Sequence, residues 1–202
     1  MCIRDSKTSV RWEHGITELE KWLGIKIDRV DVFDNSHLFG KNPVGSMIVA
    51  SKDGFVKSEY RHYKLENESV AGNDIGMMSE FLTRAFKNIN DISQNTRLVI
   101  VDGGRAQWNI AQKVLGGKIP VLGIVKGVVR SGDEHFILPD GKESTDVQKS
   151  SELFLILRAM RDEAHRFAIS FHRKTRAKSS LSGALDAVSY THLDVYKRQR
   201  QL

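Results

Sequence analysis

An α/β domain, a mixed β-sheet with helices packed against it, is the fold class this sequence predicts, and three observations predict it. Residues 26–65 hold three β-type runs joined by short turns, the pattern of an antiparallel meander. The run TRLVIVDGG (96–104) is continuously apolar up to its acid, so it reads as a central strand covered on both faces. Strand and helix then alternate up to a long amphipathic helix at 147–172, which requires helices packed on a sheet.

In chain order, EHGITELEKWL (13–23) places Ile16, Leu19, Trp22 and Leu23 at helical spacing, a short helix ahead of the main domain. KIDRVDVFD (26–34) is a strand ending in an acid, and VGSMIVAS (44–51) and FVKSEYRHYKL (55–65) follow across the turns GKNP and KDG. GNDIGMMSEFLTRAF (72–86) is helical, with Ile75, Met78, Phe81, Leu82 and Phe86 on one face. After the central strand come a helix (105–115), a strand (119–127) and a hairpin (135–144) with Asp-Gly at its tip. In the last helix Leu153, Leu157, Met160, Ala164, Phe167 and Phe171 form the core stripe.

With 202 residues, 40% of them hydrophobic, the chain has enough apolar material for a substantial core. No apolar run approaches the roughly 20 residues of a membrane span, so the expectation is a soluble, cytoplasmic protein with no membrane partner. One cysteine, Cys2, excludes a disulfide within the chain and Cys-rich zinc sites. The net charge of +6 favours an anionic partner. Both ends call for separate treatment: MCIRDS (1–6) and VSYTHLDVYKRQ (188–199) are what a transposase mosaic-end adapter encodes on its two strands, so 1–6 and 188–202 are expected to be adapter or orphan sequence. Arg4 and Asp5 cancel, and Asp194, Lys197, Arg198 and Arg200 sum to +2, which leaves +4 for residues 7–187. The expected organisation is then 7–25 as the end of an upstream segment and 26–187 as the domain.

Asp34 and Asp102 each end a strand before turn-forming residues. On parallel neighbouring strands their carboxylates meet at one sheet edge, where mutual repulsion is relieved by a cation. Either alone reads as an ordinary turn acid. His165 lies about 100° around its helix from Ala164, on the border of the buried face. It reads as a structural histidine or as a group reaching the sheet edge. Residues 158–178 carry seven Lys or Arg against Asp162 and Glu163, with Asp162 and Arg166 set for an i,i+4 pair. The surplus suits a phosphate backbone as well as a solvated face. Asp74, in the first turn of its helix, serves a capping role or a metal role equally well. VDGGRAQ lacks the spacing of the glycine loops that cradle nucleotides, which disfavours nucleotide binding.

VDVFDNSH, KSEYRHYKL, GNDIGMM, LVIVDGGRAQWNIA, LGIVKG and RDEAHRFAISFHRK, in this order, resemble the carboxy-terminal endonuclease domain of the UvrC family, a subunit of the excinuclease of bacterial nucleotide excision repair. The resemblance runs from about Leu23 to Asp186. It implies an RNase H-like fold and a divalent-metal-dependent endonuclease, using Mg2+ or Mn2+, that makes the 5′ incision beside a lesion. It also implies a catalytic and metal-binding set of Asp34, Asp102 and His165, with Asp74 as a further metal candidate. Lys126, Arg161, Arg166, His172, Arg173 and Lys174 are the residues expected to meet DNA. The implied partners are damaged double-stranded DNA, UvrB through regions outside this chain, and the UvrA pathway. Departures are small: the family's D-I-S-H is D-N-S-H here, its D-G-G-K-G-Q is D-G-G-R-A-Q, and its G-D-D-Y is G-N-D-I. Two other classes stay open, a catalytically silent DNA-binding scaffold of the same fold and a junction nuclease outside repair.

Overall fold

Strand β1 (Arg29–Leu38) pairs antiparallel with β2 (Lys41–Ser51). β2 carries two short strands on its other edge, β3 (Gly54–Phe55) and β4 (Arg61–Lys64). On its far side β1 runs parallel to β5 (Arg97–Asp102), and β5 runs parallel to β6 (Val121–Val125). The antiparallel hairpin of β7 (His135–Ile137) and β8 (Glu143–Ser144) completes an eight-stranded mixed sheet of order β3-β2-β1-β5-β6-β7-β8. A computed structural model describes residues 3–38, 41–87, 96–126 and 134–171, with side chains described outside 3–10, 36–43 and 68. The chain divides into two units, Met1–Ala168 and Ile169–Leu202, and of the second only the helical residues 169–171 are described.

Among the described residues four α-helices accompany the sheet: α1 (Ile3–Leu23), α2 (Asp74–Ala85), α3 (Arg105–Leu115) and α4 (152–171). Side chains alternate along a strand, and the two faces sort cleanly. Val30 and Val32 of β1 and Leu98 and Ile100 of β5 share a buried cluster with Ile16 and Leu19 of α1 and Leu157, Met160 and Ala164 of α4. Phe33, Val99 and Val101 join Met78, Leu82, Ala111 and Leu115 of α2 and α3 on the opposite face. Each of these side chains larger than alanine contributes about 1.5–3 kcal/mol by leaving water, and a one-residue slip would expose the set, so the β1–β5 register is tightly specified. The register in turn dictates which face Asp34 and Asp102 take.

The central, doubly covered strand expected at 96–104 is β5, with residues 98–101 fully buried, and the hairpin is present with Gly141 at φ 84° beside Asp140. Four expectations need correction. Asp34 does not end its strand, because the pairing of β1 with β2 carries it on to Leu38. The third meander strand is broken: β2 pairs Ala50 with Phe55 and Met47 with Arg61, and the polar run Lys57–Glu59 loops out between them as a 3-10 turn. Ile75 is 41% exposed, because the buried face of α2 centres on Met77, Met78, Phe81 and Leu82 and leaves Ile75 at its margin. α4 starts at residue 152, not Val147, because Ser151 caps it, its Oγ accepting from the Phe154 N–H at 3.1 Å. The Leu153 N–H, another amide without a partner inside the helix, donates to Glu18 of α1 at 2.9 Å. α1 thus packs on the sheet and closes the start of the helix that carries His165.

Candidate active site

The last paired step of β1 with β5 is Phe33 with Val101. Asp34 and Asp102 follow it on neighbouring parallel strands, and by alternation both fall on the face covered by α4. Asp34 is buried at 6% exposure. Opposite it on β2 stands Ser46, fully buried, whose Oγ lies within donating distance of the Asp34 carbonyl (3.4 Å) and the Ala164 carbonyl (3.3 Å). That hydroxyl ties α4 to β1 one residue before His165. One strand further, Ser46 pairs with His62 of β4, whose ring stacks on Phe167 of α4 at 3.8 Å and whose Nε2 is 3.2 Å from the Phe167 carbonyl. Asp102, Asp34, Ser46 and His62 therefore form one row across four strands, and α4 is pinned to that row on both sides of His165.

The pinning brings His165 Nδ1 to 3.3 Å from Asp34 Oδ2, with the histidine side chain 61% exposed and the aspartate side chain 8% exposed. A buried carboxylate is thus covered by an imidazole that solvent reaches. Asp102 is held differently. Burial pushes its carboxyl up, Arg161, His165 and Lys126 pull it back, and Glu134 pushes it up again. Lys126 is exposed just past the end of β6. Asp74 begins α2, and the Asn35 side chain, next to Asp34, donates to its carbonyl at 2.9 Å. The capping hydrogen bonds of α2 belong to Asn73, which accepts from Ile75 and Gly76, and Asp74 stands in the first turn, where a carboxylate complements the helix dipole.

The basic face of α4 differs from expectation. Arg166 pairs with Glu163 through two 2.6 Å bonds, not with Asp162, and Glu163 also accepts from the Tyr60 hydroxyl at 3.2 Å. Asp162 instead meets Arg158 at 3.7 Å and Arg161 at 2.8 Å, and Arg161 also pairs with Glu134. All three arginines in the described part of α4 are ion-paired, so the surplus read from the sequence rests on residues further along. His172, Arg173 and Lys174 lie outside the described residues. Two carboxylates and an imidazole are donors that suit a divalent cation. The donor types fit, although among the described residues no group of three His, Cys, Asp or Glu side chains is closed around a metal position.

The UvrC RNase H endonuclease domain model matches residues 20–169. The chain belongs to this family. It is 41% identical over 173 residues to UvrABC system protein C of Zymomonas mobilis, covering 80% of this chain and 26% of that protein. With the Wolbachia pipientis protein of the same name it shares 42% over 166 residues, 80% of this chain and 27% of that protein. The chain spans about a quarter of the relatives it matches. A crystal structure of human ENDOV overlaps with a TM-score of 0.36 at 16% identity, over 59% of each chain. The family match contains Asp34, Asp74, Asp102, Lys126, Arg161, His165 and Arg166.

Sequence reasoning passed over Ser46, His62 and Glu134. Ser46 and His62 had a usable signal, since in the meander Ser46 falls opposite Asp34 and His62 opposite Ser46. Glu134 had none, because its partner Arg161 is 27 residues away on another element.

Proposed function

We propose that this domain hydrolyses DNA phosphodiester bonds with a divalent cation and makes the 5′ incision beside a lesion in bacterial nucleotide excision repair. One observation carries the reading: two acids stand just past the last pair between neighbouring parallel strands and share one face, with an exposed imidazole set against one of them, inside a chain that belongs to an endonuclease-domain family. Asp34 and Asp102 would hold Mg2+ or Mn2+, with His165 and Asp74 at the margins. A bound divalent cation supplies Lewis acidity at the scissile phosphate and offsets its charge during in-line displacement.

The chain's own groups do the remaining work. With Nδ1 donating to Asp34, the His165 ring is fixed in orientation and Nε2 becomes its acceptor, suited to take a proton from the attacking water or to steady the phosphate. Burial of Asp34 keeps bulk water from its carboxylate. Lys126, Arg166, His172, Arg173 and Lys174 would neutralise flanking phosphates, which sets position and not sequence preference. Arg166 suits this even when paired with Glu163, being 62% exposed. With so few net charges the domain alone should bind DNA weakly, with a Kd of about 10⁻⁴ to 10⁻⁶ M.

We assign residues 26–187 to the nuclease domain, and the UvrB contact to regions outside this chain. Damaged duplex DNA is the substrate, UvrA and UvrB are the partners, and the cytoplasm is the compartment; among the described residues no helix is long and apolar enough to cross a membrane. The experiment is nicking of supercoiled plasmid by the full chain with Mn2+, and of a lesion-bearing duplex with and without UvrA and UvrB. The reading expects cutting that a chelator stops and that the two partners raise at the lesion. Cutting that ignores the chelator would contradict metal dependence, and indifference to UvrA and UvrB would favour a junction nuclease.

A further inference from the structure

Beyond Asp102, on the side away from Asp34, stands an acid with no part in the scheme above. Glu134 immediately precedes β7, and since Val125 pairs with His135, Glu134 lies opposite Lys126 at the end of β6. Its side chain is 9% exposed. One carboxylate oxygen bonds Arg161, and the other, Oε2, is buried without a hydrogen-bond partner among the described residues. Native folds rarely leave a buried carboxylate oxygen unbonded, and such an atom calls for a reason.

Arg161 supplies it. It lies one helical turn before His165, on the same side of α4, and its side chain is only 12% exposed. Of the cations around Asp102 it acts on that carboxylate most strongly, ahead of His165 and Lys126. A guanidinium enclosed in this way, holding Glu134 and Asp162 at once, is poorly placed to serve a DNA backbone. Released from Glu134, it would turn to Asp102, the carboxylate it already acts on, and close onto it as a bidentate pair, filling the place of a cation. We propose that Glu134 is a positioning residue of this site, which holds Arg161 off Asp102 and so leaves that carboxylate for a divalent cation. Glu134 and Arg161 together carry no net charge, so the negative field of Asp34 and Asp102 survives beside them. The inference rests on the metal-dependent reading of the same site and adds to it the residue that keeps the site open.

The test is an equilibrium titration of the full chain with Mn2+, following the paramagnetic signal of the free ion, with melting curves and duplex binding measured alongside. Glu134→Gln should weaken Mn2+ binding by about 10- to 100-fold, the usual range for a residue that orients a metal ligand. Removing the competitor as well, in Glu134→Gln with Arg161→Gln, should restore most of that affinity, which a merely structural role would not do. Arg161→Gln alone should leave the salt dependence of duplex binding unchanged. Should the Gln variant fail to fold, Glu134→Asp keeps the charge and should hold Mn2+ within about threefold of the parent, short of the loss typical for such residues. Wild-type affinity in Glu134→Gln, no recovery in the double variant, a tenfold loss in Glu134→Asp, or a salt slope reduced by about one in Arg161→Gln would each overturn the assignment. A parent chain that binds no Mn2+ would overturn the metal-dependent reading and this inference with it, whereas Mn2+ binding by the parent with no effect of Glu134→Gln would remove only the inference.

Discussion

β1 carries Asp31 near its start, while Asp34 of β1 and Asp102 of β5 stand just past the far end of the stretch the two strands share, and the two ends treat their acids in opposite ways. Near the start of the strands, on the face of α2 and α3, Asp31 is fully buried between Arg29 at 2.8 Å and Arg97 at 3.4 Å, and Arg29 is held in turn by Glu59. At the far end, on the face of α4, Asp34 meets the imidazole of His165 and Asp102 feels an arginine already committed to Glu134 and Asp162. Burial pushes the carboxyls of Asp31 and Asp102 up alike. What differs is who answers: two arginines ion-paired with Asp31 itself, against Arg161 and His165 around Asp102, each held by another acid. A buried acid given its own arginines is a part of the fold, whereas on the proposed reading one whose neighbouring cations are engaged elsewhere is left open to a ligand.

The comparison breaks or sharpens on a series of substitutions. The largest effect is expected from Asp34→Asn or Asp102→Asn, which should lower plasmid nicking per folded molecule by about 10³-fold, the order of losing a principal electrostatic contributor to the transition state. Melting temperatures measured on the same preparations should not fall. Asp31→Ala should do the reverse, costing about 3 kcal/mol in urea unfolding because it strands two half-buried arginines, with nicking per folded molecule unchanged. A silent unfolding curve with lost nicking would erase the distinction between the two ends. His165→Ala should lower nicking by about 10²-fold, typical of a positioned acid or base. Being 61% exposed, His165 should leave stability within about 0.5 kcal/mol, and a large drop in melting temperature would return it to a structural role.

The smallest effect concerns Glu20, an acid that burial pushes up but that the Ile27 N–H at 2.9 Å and Lys52 bring below the ordinary glutamate value. A carboxyl lowered in the folded state contributes stability above its unfolded pKa and loses it as pH falls through the folded one. Glu20→Gln should therefore destabilise by about 1 kcal/mol at pH 7, and the deficit should shrink as pH falls below about 4. A deficit independent of pH would assign the loss to packing.

Much of this geometry was legible in the sequence because it follows from local rules. The four consecutive apolar residues of β5 declared a doubly covered strand, and strand alternation carried that to the shared face of Asp34 and Asp102. The spacing of Leu157, Met160 and Ala164 placed His165 at the edge of a buried stripe, where it is found. What stayed hidden depends on contacts between distant segments. The Arg161 pair with Glu134 spans 27 residues and turned an apparent phosphate contact into an engaged cation. The Ser46 bridge to Ala164 spans 118 residues, and the serine's place opposite Asp34 does not say which helix it holds. The break between β3 and β4 reflects the polar turn Lys57–Glu59, which strand periodicity alone reads through.

The most direct test is Mn2+ binding at equilibrium by the full chain, its Asp34→Asn and Asp102→Asn forms, and Asp31→Asn as the control from the other end of the strands. The account expects the parent and Asp31→Asn to bind alike, and each of the other two to lose binding by itself, since one ion is shared between Asp34 and Asp102. Binding that survives either of those substitutions, or that disappears with Asp31→Asn in a folded protein, would contradict the claim that Asp34 and Asp102 form one cation site.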